Sequence, residues 1–311
     1  MTTAVTDVEA TVARQESLSS SAHKALTSRW ASLAAIVIAV LWTIPTAGLF
    51  LTSFRTEEDI NSSGWWTAFG DLFSGELPDL TLSNYDAVLT GSDTNFATYL
   101  VNSFVITIPA VLIPLSIATM AAYAFAWMRF PGRNFLFVAI FALQIVPIQV
   151  TMIPLLTTYV DLGLAGTDAP GGGFYTVWLS HSIFALPLAI YLLHNFISQI
   201  PGELIESARV DGAGHVQIFR RIMLPLMGPA IAAFGIFQFL WVWNDLLVAL
   251  VFGNTQTYPI TQRLGELSGT RGQDWFLLSA GAFVALIVPL IVFLSLQRFF
   301  VRGLLAGSVK G

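Results

Sequence analysis

Six apolar runs, each of about 20 residues or more and separated by polar stretches, set the rhythm of the chain: approximately 31–51, 99–127, 135–158, 175–196, 226–252 and 275–296. At ~1.5 Å rise per residue, about 20 helical residues span a ~30 Å hydrocarbon core, and a helix satisfies its own backbone hydrogen bonds there. The runs are continuous in Ala, Leu, Ile, Val and Phe. They lack the ten-residue alternation of a membrane β-barrel. The pattern therefore predicts an all-α membrane protein, a bundle of six transmembrane helices. Pro45, Pro109, Pro114, Pro147, Pro154, Pro187, Pro229 and Pro289 fall inside the runs, where each removes a backbone donor and permits a kink.

Composition agrees with the pattern: 55% of residues are hydrophobic and only 11% charged, against roughly a quarter charged in soluble domains. The cations orient the bundle, because Lys and Arg near span ends are retained on the cytoplasmic side. With the N-terminus inside, Arg14, Lys24, Arg29, Arg129, Arg133, Arg209, Arg220, Arg221, Arg298, Arg302 and Lys310 are cytoplasmic, and Arg55, Arg263 and Arg271 lie outside. Both termini are then expected in the cytoplasm. The net charge of −5 reflects the acidic first outer loop, 52–97, and gives no sign of a nucleic-acid partner. In that loop Trp65, Trp66, Phe69 and Phe73 suit the membrane interface; a lid over the bundle and a docking surface for an outer partner both fit it. Absent cysteine excludes disulfides and thiolate metal sites. Residues 1–30 read as a flexible cytoplasmic tail before a permease domain, 31–311.

The chemistry concentrates in the polar loop 199–225. Pro201 and Glu203 fit a helix start, a short helix to about Val210 follows, and Gly212 and Gly214 interrupt it before a second helix near His215. Val216, Phe219, Ile222 and Met223 recur at helical spacing and predict one apolar face. Within the loop stand Glu206-Ser207-Ala208, three residues, Gly212, nine residues, Ile222, one residue, and Leu224-Pro225. This resembles the EAA loop of ABC importer permeases, which reads Glu-Ala-Ala at its start, so Ser207 is the one departure. Ala121–Ala126, Arg129-Phe-Pro-Gly-Arg133, Trp243-Asn244-Asp245 and the C-terminal segment 303–311 narrow the resemblance to the carbohydrate-uptake class, and within it to the shorter of the two maltose-type permease subunits.

The resemblance implies a type I importer bundle in a bacterial or archaeal plasma membrane. It implies a heterodimer with a homologous second permease, two ATPase subunits that receive the loop, an extracytoplasmic sugar-binding protein, and inward sugar transport by alternating access. The chain is then no enzyme and binds no cofactor; ATP and Mg belong to the partner ATPase. Consistently, Lys24 follows His23 and Lys310 follows Val309, so neither lysine sits in a Walker A loop. The same resemblance allows the C-terminal tail to touch the ATPases; a frayed end fits the residues as well.

Polar groups inside spans tend to face a cavity or one another. Asn102, Gln144, Gln149, Asn195, Gln238 and Asn244 are candidates for a sugar path, with Trp241, Trp243 or Tyr123 as stacking platforms; interhelical hydrogen bonding accounts for such residues equally well. Asp245 is the one carboxyl group within a span, about 10 Å from its outer end, and is expected to reach the interface. His181 and His194 lack ligand spacing and read as packing residues, so no metal is expected. Another solute such as glycerol phosphate, an ion-coupled secondary transporter, and a non-transporting scaffold remain as rivals. The lack of Arg or Lys inside spans counts against an anionic cargo.

Overall fold

The computed structural model describes residues 29–68, 70, 79–91, 95–166, 169–268 and 275–308, with side chains to 297. Phe69, Phe73, Arg271 and nearly all of the expected N-terminal tail lie outside the described residues. The helices are α1 Arg29–Thr52, α2 Glu57–Ser62, α3 Ser83–Thr90, α4 Phe96–Trp127, α5 Arg133–Ala142, α6 Ile148–Asp161, α7 Phe174–Ile197, α8 Gly202–Val210, α9 His215–Ile218, α10 Leu224–Leu226, α11 Gly228–Trp243, α12 Leu247–Phe252, α13 Ile260–Ser268 and α14 Trp275–Ser308. Among the described residues the one β-type contact is an isolated bridge between Arg55 and Leu80.

Two compact units divide the chain, one through Thr81 and one from Leu82. In the first, α1 is a single apolar helix, and the buried Arg55 folds the segment after it. Its guanidinium donates to the Asp59 and Ser63 carbonyls at 3.0 and 3.1 Å and to Ser63 Oγ at 2.6 Å. This cation is spent on local structure.

In the second unit α4 lies along α7, with Ala118, Ala122 and Ala189 fully buried between larger neighbours. Small residues let membrane helices approach closely where no hydrophobic drive separates protein from lipid. Against α14, α11 inserts Trp243, which is 2% exposed, donates its indole N–H to the Ala285 carbonyl at 3.0 Å, and stacks on Phe239. Trp243 is thus a structural anchor and not a free stacking platform.

Among the described residues four helices are long and apolar enough to cross a membrane, and two bent pairs, each taken as one span, bring the number up to six. The bends depart from the uniform spans expected from hydrophobicity. Between α5 and α6 the chain turns through 104°; Pro147 supplies no N–H, and Val146 before it is held extended at ψ 120°, as pre-proline residues are. The span expected to run to Phe252 ends instead at Trp243. Asp245 takes the Val248 and Ala249 N–H groups on Oδ2 at 2.9 and 3.3 Å, which starts a new helix and breaks the old one, as a helix-capping side chain does.

Candidate functional site

Two sites emerge from the second unit. The first is the hairpin of α8, α9 and the turns around them. Helix α8 ends in a Schellman cap: Gly212 at φ +81° donates to the Arg209 carbonyl at 3.0 Å, and Ala213 donates to the Ala208 carbonyl at 2.9 Å. This is the pair of bonds that closes a helix whose next residue is left-handed. The spacing between Ala208 and Gly212 therefore has a mechanical reason: Ala208 is the last buried residue of the helix face, and Gly212 is the position where only glycine enters the left-handed region without cost. Ser207 is exposed and its hydroxyl bonds back to the Leu204 carbonyl at 3.2 Å. It keeps the helix while leaving the cap untouched.

The hairpin's inner face is Ile205, Ala208, Ile218 and Met223, buried against Tyr123 and Phe125 of α4 and Leu193 and Ile197 of α7, with Phe219 and Ile222 partly buried beside them. Val216 does not join them; it is 68% exposed and Ile218, at 1%, takes the inward place. The cause is the π-helical stretch Phe219–Met223, whose extra residue per turn shifts the register that α-helical spacing predicts. Leu224 and Pro225 follow directly, both exposed. Tyr123 Oη and His215 Nδ1 form a 2.9 Å hydrogen bond, and the Tyr123 ring meets Phe219 edge-on. Tyr123 is therefore the joint between α4 and the hairpin, and not a sugar platform. Outward, Glu206, Val210 and Val216 are exposed, a surface with one carboxylate and two apolar side chains and no partner within the chain among the described residues.

The second site is a cavity of about 160 Å³ between α6, α7, α11 and α12, lined among others by Gln149, His181, Gln238, Trp241 and Asp245. Its volume equals about five waters, room for one pyranose ring. Three of the sequence-level path candidates, Gln149, Gln238 and Trp241, meet here. Four of the amides do not line it. Asn102 donates to the Gln256 and Tyr258 carbonyls at 2.9 and 3.1 Å and ties α4 to the loop before α13. Asn244 bonds its own helix at the Leu240 carbonyl, and Gln144 sits exposed in the 3₁₀ turn at the α5–α6 bend. Asn195 is exposed near the end of α7.

Sequence reasoning set His181 and Asp245 aside; the fold brings them to 3.8 Å, at 3% and 12% side-chain exposure. They are sixty-four residues apart, so no local spacing signals the pair. No group of three or more His, Cys, Asp or Glu that could hold a metal occurs among the described residues, and the cavity lining includes no Lys or Arg.

A helical bundle of this kind is the architecture of a membrane permease. The family described as the binding-protein-dependent transport system inner membrane component matches residues 113–305. Over 280 residues the chain is 53% identical to an osmoprotective compounds uptake permease protein of Synechocystis sp., covering 89% of this chain and 91% of that one. It is 38% identical to an alpha-glucoside transport system permease protein of Rhizobium meliloti, with 91% and 97% covered. The fold matches that of a bacterial ABC transporter involved in the import of the acidic polysaccharide alginate, at a TM-score of 0.65 and 24% identity over 88% of this chain and 98% of that one. The chain belongs to the binding-protein-dependent transport system inner membrane component family: it is a membrane-spanning ABC permease component and not a catalytic enzyme.

Proposed function

We propose that the chain is one of two permease subunits of an ATP-driven importer that takes small neutral glucosides, α-glucosides and related osmoprotective solutes among them, from a binding protein into the cytoplasm. The observation that carries the substrate class is the cavity lining: two amides, an indole face and a carboxyl group, with no cation. Amides and carboxyl groups satisfy hydroxyls, which donate and accept at once, and an indole covers the apolar face of a sugar ring. An anionic cargo such as glycerol phosphate requires cations in its path. Names of two relatives, for osmoprotective compounds and for alpha-glucosides, support the same class.

The hairpin of Glu206, Ser207, Ala208, Gly212, Ile222, Leu224 and Pro225 receives the force. Its exposed carboxylate and valines dock in a groove of a cytoplasmic ATPase, where ATP and Mg are bound, and its buried face passes the motion to α4 and α7. ATP binding closes the ATPase pair and opens the permease pair outward; hydrolysis resets it inward. Both termini lie in the cytoplasm. Residues 1–30 form a tail and 31–311 the permease domain.

Reconstitution of the complete complex in proteoliposomes tests this. ATP-dependent, binding-protein-dependent uptake of at least one glucoside is expected, with no response to an imposed ion gradient. Uptake driven by the gradient without ATP overturns the mechanism, and ATP-driven uptake confined to anionic solutes overturns the substrate class.

A further inference from the structure

The capping of α12 accounts for Asp245 but not for His181 beside it. His181 lines the cavity, and its Nε2 is buried with no hydrogen-bond partner among the described residues. Its nearest acidic oxygen, Asp245 Oδ2, lies 3.8 Å away, beyond hydrogen-bond reach. A buried polar nitrogen left without a partner destabilises the fold. A side chain whose only purpose is to fill space carries that penalty needlessly, since a phenyl or leucyl group of similar size does not.

Asp245 is held in place from the other side. Its Oδ2 is pinned by the Val248 and Ala249 N–H groups, and its carbonyl accepts the Thr261 hydroxyl at 2.7 Å. The carboxyl group therefore cannot swing to close the gap without uncapping α12. The cap holds that separation, and an oxygen brought to about 2.8 Å from both groups would complete two hydrogen bonds. That atom must be a donor toward the carboxyl oxygen and an acceptor toward an imidazole N–H. A hydroxyl is both; an ammonium offers no acceptor and a phosphate oxygen no donor.

We propose that His181 and Asp245 together bind one hydroxyl of the transported sugar and are the specificity-determining pair of the cavity, with Gln149 and Gln238 taking neighbouring hydroxyls and Trp241 the ring face. The proposal rests on the glucoside reading above and deepens it. A site built to hydrogen-bond a hydroxyl rejects the analogue that lacks it far more strongly than an apolar pocket rejects an added group, because its own polar atoms are then stranded.

The test is a deoxy scan in proteoliposomes carrying the complete complex, with a transported glucoside and its monodeoxy analogues as probes and the concentration dependence of uptake as readout. In the wild type, loss of one particular hydroxyl is expected to lower uptake efficiency by at least tenfold. In His181→Phe that penalty should fall to about twofold or less at the same position while others persist. Asp245→Asn keeps an oxygen at the capping position, so the break after α11 survives, but the hydroxyl then meets a neutral acceptor in place of a charged one; the penalty at the same hydroxyl should fall to about threefold. Should His181→Phe fail to assemble, Asp245→Asn alone carries the test. A penalty that survives at full size in an assembled variant, or that falls at different hydroxyls in the two variants, overturns the pair while leaving the importer intact. Absence of any glucoside uptake in the wild type overturns the sugar reading instead, and the pair's role with it.

Discussion

The hairpin and the cavity are built in opposite ways. The hairpin is contiguous: twenty-seven consecutive residues supply its helices, its cap and its exposed outer face, and its geometry follows from local hydrogen bonds such as Ala213 N–H to the Ala208 carbonyl at 2.9 Å. The cavity draws on three stretches far apart in the chain. Gln149, His181, and Gln238 together with Asp245 meet only because α6, α7, α11 and α12 converge. A part that must fit a shared engine carries its shape in its own spacing, whereas a part that must fit one cargo is free to draw on the whole bundle. Mutations in the two regions should therefore separate cleanly, hairpin variants changing coupling and cavity variants changing affinity.

Gly212→Pro gives the largest effect. Proline fixes φ near −65°, far from the +81° that the cap requires, and removes the donor to the Arg209 carbonyl. Strain and the lost bond together cost about 2–3 kcal/mol. Uptake and sugar-stimulated ATP hydrolysis should both collapse in a complex that still assembles by pull-down. Glu206→Ala should do the same by removing the exposed carboxylate, and unimpaired uptake in both variants sinks the coupling role.

Next in size is Trp241→Ala. Loss of a partly exposed indole that lines the cavity should raise the sugar KM roughly tenfold, about 1.4 kcal/mol, while ATP consumed per sugar stays constant. A change in that ratio without a change in KM would break the proposed division between the regions.

Tyr123→Phe probes the seam. It deletes the 2.9 Å bond to His215 and keeps the ring against Phe219. At about 1 kcal/mol for the bond, roughly a fivefold loss of uptake per ATP is expected, with KM unchanged. A shift in KM instead places Tyr123 in the sugar path after all.

What the sequence makes legible divides along the same line. Six spans, the two hairpin helices and the left-handed Gly212 follow from hydrophobic length and from glycine's freedom at a helix end, both local properties. The misplacement of Val216 is also local, but it depends on a π-helical register that no side-chain pattern announces. Trp243 and Asn102 look like lumen residues by type, yet each is committed to a backbone carbonyl far along the chain, at Ala285 and at Gln256 and Tyr258. Burial in a membrane obliges a polar group to find a partner without saying which. His181 and Asp245 are the converse case: no local spacing joins them, and the fold brings them to 3.8 Å across the bundle.

Asn102→Ala turns that ambiguity into the smallest of the measurements. Its amide holds two carbonyls of the loop before α13, and Ser103 Oγ beside it accepts the Ile260 N–H at 2.8 Å. Removing one amide should leave two carbonyls short of a donor but the loop still anchored by Ser103 and by Asn254, whose side chain donates to the Gly172 carbonyl at 3.0 Å. The expected cost is about 1–2 kcal/mol, seen as a lower Tm of the purified complex, with the sugar KM within twofold of wild type. Asn102→Asp, similar in size but without the amide donor, should lower Tm at least as much. If KM rises while Tm stays, Asn102 contacts cargo and the permeation path extends from the cavity along α4 toward that loop.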